Sequence, residues 1–411
     1  MKKIVSLFLL TGLLTACDFD STRIITYTVN EPVFISRDEF RESLKVTSRK
    51  QDLTAVGKIC FYNGFLYISD PGKGIHIIDN TNPANPQVTG YIELVGNYDL
   101  TVHDDLLYAD TWIDLVWFDV SNPSRPVLKG RIENLFPDAF PATLNEYGYD
   151  YELCRTGIEK ERIVVGWELK ERAQRASPSG KYHTVVQEAS NTMRNAINGS
   201  MSRFGLYGKY LYAVVNNRMK IVDLSDNAPR PSGDFYVGND VETIFPYENK
   251  LFMGTPTGLL IYSVENPLQP ALRSQISHVY GCDPVVVEND LAYVTVHDGN
   301  LCGQTSNELI IIDVSDVDNP QPVVSYEMHH PKGLGIDRGT LFVCDDGLKI
   351  FKNTEPQTLM SNLLKHYKGM DGYDVVSYDN TLMMISGNGL YQYDYSDLNN
   401  IRRISTIPVK R

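Results

Sequence analysis

The chain has 411 residues and a net charge of −13, from 38 Lys and Arg against 51 Asp and Glu. So acidic a surface repels phosphate backbones and anionic headgroups, which excludes nucleic acid as a partner and leaves membrane contact to an anchor alone. Hydrophobic residues make up 42%, enough for a large core, and length by itself would suggest two or three domains.

Residues 1–16 read as an export signal. Lys2 and Lys3 give a basic start, and the apolar run from Ile4 to Leu14 has the length of a signal core, too short to span a bilayer as a helix. Leu14-Thr15-Ala16-Cys17 follows at once. Small residues before a cysteine resemble the lipobox of bacterial lipoproteins, in which the peptide is cut before a lipidated Cys; the resemblance implies lipid attachment at Cys17. Several acyl chains there would hold the protein firmly, where one holds only marginally. Loss of Lys2 and Lys3 takes the charge to −15. Residues 17–55 then read as a lipidated tether and lead-in. Five cysteines remain after Cys17 is set aside, so at least one stays unpaired or pairs between chains.

From residue 56 to the end the chain repeats. Tyr67, Tyr108, Tyr212, Phe252, Tyr293, Phe342 and Met383 align at spacings of 41, 104, 40, 41, 49 and 41. The 104 and the 49 are each one period plus an insertion. Each unit reads as four short strands, a to d, separated by Gly, Asn, Asp and Pro; in the first they fall near 58–62, 65–69, 75–79 and 87–93. Four strands per period of about 40 residues, with no helical crossovers, predict an all-β fold, a seven-bladed β-propeller of four-stranded blades. The recurring Asp79-Asn80-Thr81-Asn82-Pro83, Asp119-Val120-Ser121-Asn122-Pro123, Asp223-Leu224-Ser225, Asp313-Val314-Ser315 and Asp394-Tyr395-Ser396 read as turn chemistry, not as metal ligands.

The segments LYISDPGKGIHIIDNTNPANP and ELIIIDVSD resemble the LVIVD repeat, found in bacterial surface and exported proteins. The resemblance spans about 56–409 and is strongest in blades 1, 2, 3 and 5; blades 4, 6 and 7 depart, with Ser263, Lys352 and Asp394 where strand c ends. Glu31 to Arg41 is similar to the segment before the propeller in lipoproteins of this type from Bacteroidota. The family implies a fold and an envelope location, and no common reaction. Asp18 after Cys17 would favour the inner membrane under enterobacterial-type sorting; the Bacteroidota resemblance favours the outer membrane or the cell surface.

Propeller topology sorts the loops. The b–c and d–a connections share one face, and the Asp-x-Ser turns lie on the other, plain face. Both insertions, 137–199 after blade 2 and the extra residues within 295–307 in blade 5, belong to the first face, where function is expected. The insertion carries Tyr147, Tyr149, Asp150, Tyr151 and Glu152, an expected strand Ile163–Leu169 and a polar stretch 170–199. Its Trp167 suits either stacking on a ligand or packing the insertion against blade 2. Removing 137–199 is expected to leave a folded propeller without its ligand. At the start of strand a stand Lys58, Asp99, Arg203, Thr243, Pro284, Gly333 and Asp374, with Glu242 and Asp283 one place earlier. Such a ring suits a polar ligand at a channel mouth, or a self-neutralising set of ion pairs. His297 lies beside the blade 5 loop. Cys282 and Cys302 map to the same end of blade 5, which permits a disulfide; two separate thiols are the alternative. Cys60 and Cys344 fall on strands and read as core.

No catalytic or metal-binding motif is present, and no cofactor is implied. The sequence therefore reads as a binding or scaffold module for a glycan or protein. The alternative is a polysaccharide hydrolase or lyase using acids at the channel mouth, among them Asp99, Glu242, Asp283 and Asp374.

Overall fold

The computed structural model describes residues 24–47, 50–137, 139–145, 147–175, 202–215, 217–226, 228–238, 241–255, 258–277, 284–297 and 306–410. Each repeat becomes an antiparallel sheet whose strands follow chain order. In blade 1 they are Ile59–Tyr62, Phe65–Asp70, Gly74–Asp79 and Gln87–Glu93, within a residue of the sequence reading. Strand a opens the later blades at Leu100–His103, Phe204–Tyr207, Thr243–Tyr247, Val285–Glu288, Leu334–Asp337 and Gly372–Tyr378. Contacts between successive a strands run round the whole ring, blade 7 to blade 1 included. The seven aligned residues from Tyr67 to Met383 are all at most 1% exposed, so the repeat is a packing repeat.

Two kinds of turn close each blade. In five blades the a–b hairpin is a two-residue turn with both φ angles positive: Asn63-Gly64, Asp104-Asp105, Asn289-Asp290, Arg338-Gly339 and Asp379-Asn380. That geometry matches strand twist and favours Asn, Asp and Gly. On the same face, Asp79, Asp119, Asp223, Asp313 and Asp394 each accept the backbone N–H two residues on, at 2.8–3.0 Å, together with that residue's hydroxyl. In blade 4, Ser263 Oγ takes the role, accepting the Glu265 N–H at 3.3 Å.

The Ser121 hydroxyl, its N–H and Lys129 hold the Asp119 carboxyl down at about 2, and the matching serines lower Asp223, Asp313 and Asp394. A carboxyl lowered by folding contributes stability above its unfolded value near 3.9, lost as pH falls through the folded value. Thermal stability is therefore expected to fall from about pH 4 toward pH 2. An Asp119→Asn variant, which keeps the turn acceptor but not the titration, should show a shallower decline in a melting series across that range.

Two expectations need correction. Residues 24–47 are no free tether: Ile24–Ser36 is a strand, Arg37–Glu42 a helix capped by Ser36, and Lys45–Thr47 a fifth strand on Gln87–Glu93 of blade 1. The strand Ile24–Ser36 pairs along its length with the insertion strand, from Ile24↔Arg175 to Ser36↔Arg162. That insertion strand runs Arg162–Arg175, beyond the expected Leu169 and into the polar stretch. Of the Tyr and acid cluster, Tyr151 and Glu152 open a helix, Tyr151–Glu159, with Asp150 as its N-cap accepting the Leu153 N–H at 3.1 Å, while Tyr149 bridges to Asn30.

The ring closes without strand exchange, since all four strands of blade 7 come from 372–408. Leu53, Val56, Ile59 and Ile68 pack instead against Met383, Ile385 and Leu390. Across the seam Asn80 and Gln392 exchange amide hydrogen bonds, 3.0 and 2.7 Å, both side chains buried.

Candidate functional site

The insertion-bearing face is built in two parts, a platform and a channel mouth. The platform joins the lead-in strand and helix to the insertion. Its own core is Phe140, Tyr149, Cys154, Val164 and Trp167. Gly157 of the insertion helix comes so close to Phe34 that an added Cβ would sit 2.1 Å from the ring. Asn30, fully buried, donates to the Leu144 and Tyr147 carbonyls at 3.1 and 2.6 Å and accepts the Leu144 N–H at 3.0 Å. Arg37 donates to the Ile158 carbonyl at the helix C-terminus, 3.2 Å.

This platform is fixed to blade 2. Phe40, Phe136, Ala139 and Ile163 share a core with Trp112, Ile113, Leu115 and Trp117 of that blade. Beside them Asp114, fully buried, takes Arg41 of the lead-in helix at 3.0 Å and Arg131 of strand d at 2.7 Å, and accepts the Asn134 N–H at 2.8 Å. Cutting out 137–199 would remove Ala139 and Ile163 from the core they share with blade 2.

Trp167 is corrected accordingly. It is buried, stacks on Tyr149 at 4.9 Å between centroids and donates Nε1–H to the Pro141 carbonyl at 2.9 Å. It packs the insertion on itself, and its ring is not offered to a ligand.

At the channel mouth, the strand-a residues do not act alike. Asp99 is 1% exposed and accepts the Leu100 and Arg203 N–H groups at 2.9 and 2.5 Å. Burial raises its carboxyl against the pull of Lys58 and Arg203. Arg203 is 5% exposed and pairs with Asp110 at 3.1 Å. Asp110 also accepts the Tyr98 and Asp99 N–H groups, yet burial lifts its carboxyl to about 6. Two carboxylates thus meet Arg203, with Lys58 close enough to act on Asp99, and the set pins blade 2 to blade 3. Asp374 is buried and accepts the Val375 N–H at 2.6 Å. Glu242 is buried beside Thr243, whose Oγ1 accepts the Gly254 N–H. Lys58, Thr243, Pro284 and Asp374 share the wall of a channel of about 400 Å³. Two residues further along strand a the wall becomes largely apolar, with Cys60, Phe245, Val286 and Val376. Burial pushes the Cys60 thiol up to about 11, which leaves it a poor nucleophile.

His297 is buried with its ring 4.7 Å from that of His330 in the next connection. Among the described residues no group of three or more His, Cys, Asp or Glu is placed to hold a metal ion. Cys17, Asp283, Cys282 and Cys302 lie outside the described residues; Cys60, Cys154 and Cys344 are free thiols. Sequence reasoning missed Asp110, Asp114 and Asp345. Asp345 accepts the His329 and His330 N–H groups and pairs with Lys349. The available signal was a polar residue at either end of the otherwise apolar strands b and c.

The LVIVD repeat matches residues 55–99, 92–134 and 198–229, within blades 1 to 3. Blade 5 lies outside the matched segments. No curated protein matches the chain. Among solved structures, the computationally designed Ika8 protein is similar at 8% identity and a TM-score of 0.51, over 88% of each chain. Saccharomyces cerevisiae Sqt1 is similar at 6% identity and 0.51, over 88% of this chain and 87% of that one. PorZ, an essential bacterial surface component of the type-IX secretion system of Porphyromonas gingivalis, is similar at 10% and 0.51, over 90% of this chain and 40% of that one. At such identities the likeness shows the propeller fold alone.

Proposed function

We propose that this seven-bladed propeller with LVIVD repeats is a lipid-anchored binding module of the bacterial envelope. It presents the platform and the channel mouth to a glycan or protein. The observation that carries this reading is the platform itself. A lead-in strand and an insertion, far apart in sequence, fold into a unit with its own core, clamped to one face of a rigid ring. Elements of that kind on a propeller face serve recognition more readily than stability. PorZ, a bacterial surface component, is a precedent for the fold at that location.

Cys17 is the proposed anchor, at an outer membrane. It stands seven residues before Ile24, a span of at most about 25 Å of extended chain. Since Ile24 pairs with Arg175 at the end of the ribbon remote from Ser36, the ribbon becomes the link between propeller and lipid. Among the described residues no helix is long and apolar enough to cross a membrane.

The test uses steric blocking, which leaves the fold intact. A polyethylene glycol chain is attached at Glu152→Cys on the platform or, as control, at Asp316→Cys on the plain face. Binding to isolated envelope fractions should be lost with the first label and kept with the second. Equal binding by both labelled proteins contradicts the proposal. A Cys17→Ser change should release the protein from the membrane fraction, and retention there contradicts the anchor.

A further inference from the structure

On the plain face, four of the seven seams are tied through the last residues of strand a and the a–b turns. Tyr62 donates its hydroxyl to Asp105 at 3.0 Å and accepts the Asp105 N–H at 3.1 Å, joining blades 1 and 2. Tyr247 accepts the Asn289 N–H at 3.2 Å, joining blades 4 and 5. Glu288 accepts the Gly339 N–H at 2.8 Å, and Arg338 donates to Asn380 at 2.7 Å, joining blades 5, 6 and 7.

The seam between blades 7 and 1 is built differently. Tyr378 occupies the place of Tyr62 and Tyr247, but its ring lies against Phe61, centroids 4.5 Å apart and planes 35° apart, and it stays 58% exposed. Beside this pair opens a crevice of about 220 Å³, walled by Phe61, Tyr378, Asp379, Asn80, Thr81 and Met383. Asp379 is exposed on a tight turn with φ of 44°, followed by Asn380 at 60°, so the backbone fixes where its carboxylate stands. Asn80 is held in place by its amide exchange with Gln392.

We infer that this crevice is a saccharide-binding site for one neutral pyranose ring, a separate site from the platform. Tyr378, exposed and backed by half-buried Phe61, offers its ring to the apolar C–H face of a sugar, while the exposed Asp379 carboxylate and the Thr81 hydroxyl oxygen, whose own proton goes to Asp79, can accept from ring hydroxyls. A purely apolar ligand would cover the Tyr378 ring and strand the Asp379 carboxylate. The acid at the rim disfavours uronic or sulfated sugars. The volume is below that of pockets for larger ligands and suits a single residue of a glycan.

The experiment is saturation-transfer NMR on the full chain with the methyl glycosides of glucose, galactose, mannose and N-acetylglucosamine, followed by titration. At least one is expected to bind, and Tyr378→Ala to weaken it about tenfold, with Tyr378→Trp restoring affinity. Asp379→Asn, which suits the turn and removes the charge, should weaken binding severalfold while the melting temperature stays unchanged. Failure of all four glycosides to bind overturns the inference. So does binding that survives both Tyr378→Ala and Asp379→Asn, or binding abolished by the Glu152→Cys label but not by Tyr378→Ala. The last outcome would move the sugar to the platform and leave that proposal standing.

Discussion

Asp114→Ala is expected to destabilise the protein by about 3 kcal/mol, toward the low end for stripping one partner from a buried ion pair. The carboxylate is fully buried between Arg41 and Arg131, which themselves remain 19% and 14% exposed. Water reaching both guanidinium groups keeps the loss from being larger. The change also removes the acceptor of the Asn134 N–H, where blade 2 gives way to the insertion. Denaturant unfolding should show the loss in its midpoint. Limited proteolysis should cut first between the lead-in helix and blade 1, because Arg41 is the polar tie of that helix to the ring. An unchanged midpoint together with unchanged proteolysis would mean that the apolar contacts of Phe40 alone hold the platform.

Gln392→Ala is expected to cost a similar amount, about 3 kcal/mol, from an unpaired buried amide on Asn80 and a small cavity at the seam. Ring closure rests on side chains here, so the loss should appear as early opening between blades 7 and 1. The double variant Asn80→Leu with Gln392→Leu should recover much of the stability, since neither buried amide is left unpaired and the Pro83 carbonyl that loses the Gln392 donor is only half-buried. Equal loss in single and double variants would assign the effect to packing volume.

The blades were legible because their signals are local. Tyr67 and its six counterparts recur at one period, Asp79 and its kin announce five of the seven c–d turns, and Asn63-Gly64 spells a hairpin. In blade 1 the strand boundaries followed within a residue. The platform was not legible, for the reason that its pairing is remote: Ile24–Ser36 finds its partner about 140 residues later, and no local pattern names a partner at that distance. In sequence these residues, with Asn30-Glu31-Pro32 at their centre, read only as lead-in. Trp167 was ambiguous for the same reason, because only the fold brings Tyr149 and Pro141 to it. At the channel mouth the sequence picked out Asp99 and Arg203, yet not Asp110, whose meaning depends on the strand that crosses it.

The account turns on the lead-in strand being part of a platform and not a loose leash. Backbone hydrogen exchange across 26–36, read by mass spectrometry on the native chain, measures this directly. Strand pairing predicts protection for these amides that rises and falls with that of 162–173, and that weakens in both segments together in Asp114→Ala. Full exchange within seconds in 26–36, with 162–173 unaffected, would contradict it.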